Sequence, residues 1–271
     1  MTAVELTTGA KGIVQGLGMM LLHGTVLALL ALILARGARL RPSWQAAVWL
    51  VVLAKLVLPW GPALPFSLAD VIASLRGSSP PPAITIPAAP FGGPETQAAG
   101  PSFAWVVLLA LWLAGTAFVA ARAIRGELAV RRAARRAPDA PPEARALLAE
   151  LAARIRLRTP RLAVGDGATG PHVVGLFRPT IVVPPALLAA DPALARAALL
   201  HELAHVRRRD ALARLVQVAA VALFWFWPFV RLASRRLDHA REAACDAWAL
   251  EACDVSRASY ARLLVRMARL H

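Results

Sequence analysis

Long apolar stretches dominate the first half of the chain and contain few polar positions. They cover residues 12–35, 44–60 and 103–121. A helix of about 20 apolar residues crosses a bilayer core of roughly 30 Å, so the pattern predicts three transmembrane helices. Two lie within residues 1–60, and the third lies within residues 103–124. The first stretch is too long for a signal-peptide core and no small-residue cleavage site follows it, so we expect it to be retained.

Two segments with other patterns complete the chain. Residues 61–102 are rich in proline, alanine, glycine and serine, which predicts a flexible loop and argues against a folded domain. Residues 125–271 mix helical and strand periods, so the fold class expected for the whole chain is an α+β membrane protein. The expected elements are a helix over residues 142–158, strands over Arg161–Val164, His172–Val174 and Thr180–Val183, and a helix that begins at Asp191-Pro192.

Composition and charge support the membrane assignment. The chain is 58% hydrophobic and only 17% charged, whereas soluble domains carry about 25% charged residues. Its net charge of +15 comes almost wholly from arginine and is also typical of nucleic-acid-binding surfaces. The arginines cluster beside the apolar stretches, however, so we expect a protein of the lipid bilayer with no direct binding of nucleic acid.

The distribution of arginine predicts the orientation of the chain. Arginine-rich segments lie between the first two apolar stretches and after the third, whereas residues 61–102 contain a single basic residue, Arg76. Cytoplasmic loops carry the excess of positive charge. We therefore expect a multi-pass protein of the cell (inner or plasma) membrane, with its N-terminus outside and residues 125–271 in the cytoplasm. Cys245 and Cys253, the two cysteines, form no disulfide scaffold and fit a reducing compartment.

The segment His201-Glu202-Leu203-Ala204-His205 carries the candidate chemistry. In a helix, residues four apart lie on one face, so His201 and His205 can bind one zinc ion. Glu202 lies beside them and can accept a proton from a water whose pKa the zinc lowers, as peptide hydrolysis requires. The alternative is a pair of surface histidines on an amphipathic helix, and we favour the metal site because this combination seldom arises by chance.

A catalytic zinc ion needs a third protein ligand. Glu242 and Asp246 are four residues apart in a helix predicted over residues 232–252, so one carboxylate can bind zinc while the other hydrogen-bonds a ligand histidine. We favour Glu242 as the ligand and Asp246 as the orienting group, with His239 as the rival ligand and two solvated acids as the alternative. Cys245 is expected to be a small buried thiol. The other candidates are Asp210, Asp238 and Glu251.

The apolar stretch at residues 211–230 poses a topological problem. It is long enough to cross a bilayer, yet both histidines precede it and Glu242 follows it. A single crossing would place these ligands on opposite sides of the membrane. We therefore expect a re-entrant or interfacial helix that Pro228 interrupts where the chain turns back. Trp225 and Trp227 are expected at headgroup depth.

Several motifs in combination resemble the BlaR/MecR-type membrane metallopeptidases, the transmembrane sensor-transducers of β-lactam resistance and their relatives. They are residues 201–210, 224–228 and 241–246, with residues 49–59 and 175–184 upstream. The resemblance covers most of residues 20–270. It implies a thermolysin-like (gluzincin) core with a small sheet, and an edge strand ending at Val183 that pairs with an extended substrate. It also implies a zinc site, with these roles: zinc on His201, His205 and Glu242, Glu202 as the general base, and Asp246 hydrogen-bonded to a ligand.

The function that the resemblance implies is that of a membrane-bound zinc endopeptidase. Its expected substrate is a cytoplasmic protein, such as a transcriptional repressor, or the chain itself, cleaved during transmembrane signalling. A quality-control peptidase of the heat-shock HtpX type is an alternative, as is a non-catalytic zinc-binding signalling scaffold. The chain contains no Ser-x-x-Lys motif, so β-lactam sensing is not expected. His239, Arg241 and Tyr260 can each stabilise the oxyanion of the reaction, and His172 is expected to be exposed on a strand.

Overall fold

The computed structural model describes residues 3–37, 40–58, 103–165, 170–189 and 191–253, together with Arg262. The fold is mostly helical and contains a small sheet. Its elements are α1 (Ala3–Gly37), α2 (Pro42–Val57), α3 (Ala104–Arg136), α4 (Pro142–Arg154), β1 (Arg161–Val164), β2 (His172–Val174), β3 (Thr180–Val183), α5 (Pro185–Leu188), α6 (Pro192–Arg208), α7 (Asp210–Leu223) and α8 (Pro228–Cys253). The predicted loop at residues 61–102 and the candidate residue Tyr260 lie outside the described residues.

Two of the described helices are long and apolar enough to cross a membrane, namely α1 over Ala3–Ala35 and α3. α3 begins at Ala104 and continues to Arg136, so its basic end extends past the predicted boundary at residue 124. α2 has only 16 residues, a length of about 24 Å, so a spanning helix at residues 44–60 is not confirmed. α2 instead contributes buried side chains such as Trp49 and Leu53 to a cluster shared with α1, α7 and α8.

The three-stranded sheet has the order β1–β3–β2, with β1 parallel and β2 antiparallel to β3. The strand boundaries agree with the sequence prediction, but the prediction that the strand ending at Val183 is an edge strand is wrong. Ile181, Val182 and Val183 are all buried, and such a continuous apolar run is typical of a strand covered on both faces. β3 is therefore central, and β2 is an edge strand that contacts α6.

A second buried cluster lies between the sheet and helices α4 and α6. Leu148 and Leu151 of α4, Ile181 of β3, and Leu199 and Leu203 of α6 are almost completely buried in it. Two positions along a helix correspond to a rotation of about 200°. The histidines that follow Leu199 and Leu203 by two residues therefore lie on the opposite side of α6, away from this cluster.

Both ends of α6 are fixed by local structure. Asp191 is the predicted N-cap, and its Oδ1 accepts a hydrogen bond of 2.9 Å from the Ala193 amide. At the other end, Arg209 adopts a left-handed conformation with φ 54° and ψ 41°. Such a conformation costs a residue with a Cβ on the order of 1 kcal/mol. The resulting turn starts α7 at Asp210, directly beside His205.

The apolar stretch at residues 211–230 does not form one continuous helix. It is divided between α7 and α8, which form a hairpin. α7 ends at Leu223, a turn covers residues 224–227, and α8 begins at Pro228. The residue before a proline disfavours the helical conformation, which explains why the break falls at this point. The chain therefore turns back toward α6, and α8 contains the helix predicted over residues 232–252. That this hairpin enters and leaves a membrane by one face stays a prediction.

The tip of this hairpin packs against α1 and against the apolar first half of α3. The indole N–H of Trp112 in α3 donates a hydrogen bond of 2.8 Å to the last carbonyl of α7. A Cβ at Gly115 would overlap the indole of Trp225, and a Cβ at Gly24 would crowd that of Trp227. The two tryptophans thus pack against the apolar parts of α1 and α3, and their predicted position at headgroup depth stays a prediction.

Candidate metal centre

Helix α6 presents both histidines of the motif on one face. The side chains of His201 and His205 are 13% and 14% exposed, and their Nε2 atoms lie 3.2 Å apart. Glu202, which follows His201 directly and is predicted to be the general base, is almost fully buried. The helical spacing of the motif therefore brings the two predicted nitrogen ligands together beside an enclosed carboxylate.

Helix α8 brings Glu242 to the same point. Its Oε2 lies 3.4 Å from His201 Nε2, and its Oε1 lies 3.8 Å from His205 Nε2. Three ligand atoms about 2.1 Å from a zinc ion at tetrahedral corners would be about 3.4 Å apart. The observed separations fit one such ion, and two imidazoles with one carboxylate are donors that zinc prefers. The predicted ligands therefore converge from two helices that are separated in sequence by the α7 segment.

Each histidine has its own carboxylate partner on the Nδ1 side. Asp246 Oδ1 lies 2.9 Å from His201 Nδ1, and Asp210 Oδ2 lies 2.8 Å from His205 Nδ1. A carboxylate in this position fixes the ring orientation and leaves Nε2 free to bind a metal. The structure thus places Asp246 where the sequence predicts an orienting group, and it adds Asp210 in the same relation to His205.

The carboxylates make the site favourable for positive charge. Burial alone would lower the pKa of His201, but hydrogen bonds with Asp246 and Glu242 raise it to about 10. The hydrogen bond with His201 lowers the pKa of Glu242. Burial raises the pKa of Glu202, and the charges of the two histidines oppose this rise. Since the site stabilises an extra proton on a buried imidazole, a divalent cation can take the place of that proton.

Cys245, His205 and Asp210 form a second group of potential metal ligands. The thiol lies 3.4 Å from His205 Nδ1 and 3.7 Å from Asp210 Oδ2. Burial raises the pKa of this thiol, and the Asp210 charge raises it further, so the group is a neutral thiol and not the thiolate that binds metals. Cys245 therefore packs behind His205, as predicted, on the side away from Glu242.

The two candidate oxyanion stabilisers that the structure describes, Arg241 and His239, lie in different places. Arg241 is buried, and its guanidinium contacts Asp210 and Asp238 rather than the Nε2 side of the histidines. His239 is exposed on α8, and no contact among the described residues joins it to the three converging ligands. Tyr260 lies outside the described residues. Of the candidates that the structure describes, neither Arg241 nor His239 therefore lies on the Nε2 side of the site.

His172 is a residue near the site to which the sequence analysis gave no role. It lies on the edge strand β2, is half-buried, and its Nδ1 is 2.8 Å from the Gly170 carbonyl. Its ring is close enough to interact electrostatically with Glu202. The available signal was a histidine in a strand that shortly precedes the motif helix, a pattern too common to assign a role by itself.

The family model described as BlaR1 peptidase M56 matches residues 15–270. No curated protein matches the chain. The matched region includes α2, α3 and most of α1, the sheet, and all the converging side chains described above.

Proposed function

Because this chain belongs to the BlaR1 peptidase M56 family, we propose that it is a membrane-bound zinc endopeptidase acting in transmembrane signalling. Its substrate in this proposal is a cytoplasmic protein, such as a transcriptional repressor, or the chain itself. The observation that carries the proposal is the convergence of His201, His205 and Glu242 within 3.2 to 3.8 Å of one another beside the buried Glu202.

Each of these side chains has a role in peptide hydrolysis. His201, His205 and Glu242 would hold zinc, which when bound lowers the pKa of a water and polarises the scissile carbonyl. Glu202 accepts the proton of the attacking water and gives it to the leaving amine. Burial suits Glu202 to this work because a raised carboxyl pKa brings proton uptake closer to neutral pH.

The edge strand β2 supports a binding mode for the substrate. Among the described residues, β2 pairs only with β3 and contacts α6, and its His172 is close enough to Glu202 of the motif to interact electrostatically. An extended peptide can add to such an edge through backbone hydrogen bonds. A peptide in this position would run past Glu202, and His172 on the same strand is placed to contact it.

The hairpin supports a position of the site at the membrane surface. α7 has 14 residues, a length of about 21 Å, and its last carbonyl meets the middle of the apolar part of α3. Half the hydrocarbon core measures about 15 Å. With α3 as a spanning helix, the start of α7 lies a few ångströms beyond the core. Arg208, which precedes it, is 3.5 Å from Ser43 near the arginine-rich segment between α1 and α2, so this side is the predicted cytoplasmic side.

The alternatives differ in how they explain Glu202. A scaffold that binds zinc structurally has no use for a buried carboxylate next to two ligands, and burial of such a group is costly. A quality-control peptidase would use the same site, so the site itself does not separate it from a signalling peptidase. The membership of the chain in the BlaR1 peptidase family favours signalling.

The experiment compares cells that produce the wild-type chain with cells that produce Glu202→Gln. Purified wild-type and variant proteins should each contain about one zinc per chain, because Glu202 is not a ligand. New protein N-termini, identified by mass spectrometry, should appear in a cytoplasmic protein or in the chain itself only with the wild type. A wild-type protein without zinc, or equal cleavage products from both proteins, would refute the proposed function.

A further inference from the structure

A polar path runs from the interior of the α7–α8 hairpin to the ring of His205. It begins at Gln217, a buried residue and the only polar one after Arg214 in α7. Its amide Nε2 donates to α8, at 2.6 Å from Ser234 Oγ and at 3.0 and 2.9 Å from Asp238 Oδ1 and Oδ2. A carboxylate can only accept hydrogen bonds, so this contact fixes which side of the amide faces Asp238.

The path continues through a buried arginine. Asp238 Oδ1 accepts a hydrogen bond of 3.4 Å from Arg241 Nη1, one turn along α8. Arg241 Nε lies 3.5 Å from Asp210 Oδ2, and both of these side chains are nearly buried, at 11% and 7% exposure. The same oxygen of Asp210 lies 2.8 Å from His205 Nδ1. Four successive polar contacts therefore join the inside of the hairpin to a metal-binding histidine.

The position of Asp210 depends on this arginine. Its carboxylate is held between Arg241 and Arg208, whose Nε lies 3.5 Å from Oδ1. An unpaired buried carboxylate is strongly unfavourable, so loss of Arg241 would leave Asp210 to move toward Arg208 or toward solvent. Either movement would take the oxygen away from His205 Nδ1 and free the ring to rotate.

We propose that Arg241 is a positioning residue for the metal centre, holding Asp210 against His205 and held in turn by the half-exposed Asp238, which the buried Gln217 contacts. The arrangement of α7 and α8 is thereby coupled to the affinity for zinc. This inference rests on the proposed zinc site. A purely structural Gln217–Asp238 contact would stabilise the hairpin without any effect on metal affinity, so the two roles give different results.

The test measures the dissociation constant for Zn²⁺ of the purified full chain in detergent, by competition with a chelator. Arg241→Ala should weaken zinc binding by about 10- to 100-fold, the range for loss of groups that orient ligands. Arg241→Lys should retain part of the affinity, since it keeps the charge but not the planar fork. Arg235→Ala removes an exposed arginine from the same helix and serves as the matched control, with no change expected.

Two further variants identify the route of the effect. If Arg241 acts through Asp210, the double variant with Asp210→Asn should bind zinc no more weakly than Asp210→Asn alone, because the effects of residues in one network are not additive. Gln217→Leu keeps the size of the side chain and suits an apolar hairpin. It should weaken zinc binding by more than about twofold and alter the visible absorption of the Co²⁺-substituted protein.

Each outcome has a distinct meaning. A wild-type chain that binds no zinc would refute the proposed function and this inference with it. If the wild type binds zinc, two results would overturn this inference alone. One is a dissociation constant for Arg241→Ala within twofold of the wild-type value. The other is a double variant in which the effects of Arg241→Ala and Asp210→Asn add. Should Arg241→Ala fail to fold, Gln217→Leu decides. An unchanged zinc affinity with lower thermal stability of the metal-free protein would assign Gln217 a structural role and overturn the coupling.

Discussion

Replacement of Asp246 by asparagine should change how the affinity for zinc depends on pH. Against the lowering effect of burial, hydrogen bonds with Asp246 and Glu242 raise the pKa of His201 to about 10 in the metal-free protein. Zinc binds the deprotonated imidazole, so its binding expels this proton. The wild-type affinity should therefore rise by about tenfold per pH unit from this proton alone, or about 100-fold between pH 7 and pH 9.

The asparagine keeps the shape of the side chain and removes its charge. The pKa of His201 should then fall toward its ordinary value of 6.5, so that less of this proton remains to be expelled above neutral pH. The slope of log affinity against pH should decrease by up to about one. At pH 9 the variant should still bind zinc about 10- to 100-fold more weakly, because the His201 ring has lost its orienting partner.

Competition with a chelator whose own pH dependence is known measures both constants. A proton bound to Glu202 would add equally to the slope of log affinity against pH in both proteins. The difference between the two slopes therefore reports the proton on His201. Equal slopes would refute the conclusion that Asp246 holds the proton. The same shift predicts a stability change in the metal-free chain. The folded pKa exceeds the unfolded one, so the stabilisation is fully present below pH 6.5 and is lost as the pH rises through about 10.

Three other predictions test the ligand set, the hairpin and the orientation. Glu242→Gln should release zinc while His239→Ala should not, as measured by metal analysis; the reverse result would replace Glu242 as the ligand. Trp112→Phe should destabilise the purified protein by about 1 to 3 kcal/mol, because it leaves a carbonyl without a partner in apolar surroundings, whereas Trp105→Phe should have little effect in the same thermal denaturation. A single cysteine at Ala252, in a chain without Cys245 and Cys253, should resist an impermeant thiol reagent in intact cells, and its labelling would place the end of α8 outside.

The features of the metal centre that depend on helical spacing could be predicted from the sequence. His201 and His205 lie on one face because they are four residues apart, and the same spacing places Glu242 and Asp246 together on α8. The strand boundaries were also predictable, because glycine and proline separate the three short apolar runs. These features depend on local geometry, which the order of the residues determines almost directly.

The features that depend on unusual or long-range geometry could not be predicted. Asp210 reaches His205 only because Arg209 adopts a left-handed conformation, which nothing in an arginine residue favours. The central position of β3 depends on how three strands pair over an intervening segment. The apolar run of β3 is typical of a central strand, whereas the family resemblance implies an edge strand. His172 approaches Glu202 through packing of β2 on α6, two elements whose contact no periodicity indicates.

The hairpin shows why a chemical requirement predicted the path of the chain better than hydrophobicity did. By length alone, residues 211–230 are a spanning helix, and only the need for Glu242 to share an ion with His201 demanded a return. A return inside apolar surroundings leaves carbonyls without partners at the end of the first helix, each costing several kcal/mol. Here the indole of Trp112 satisfies one of these carbonyls. The sequence thus establishes that such a donor is needed, while its identity depends on α3 lying beside the turn, a contact between segments more than 100 residues apart.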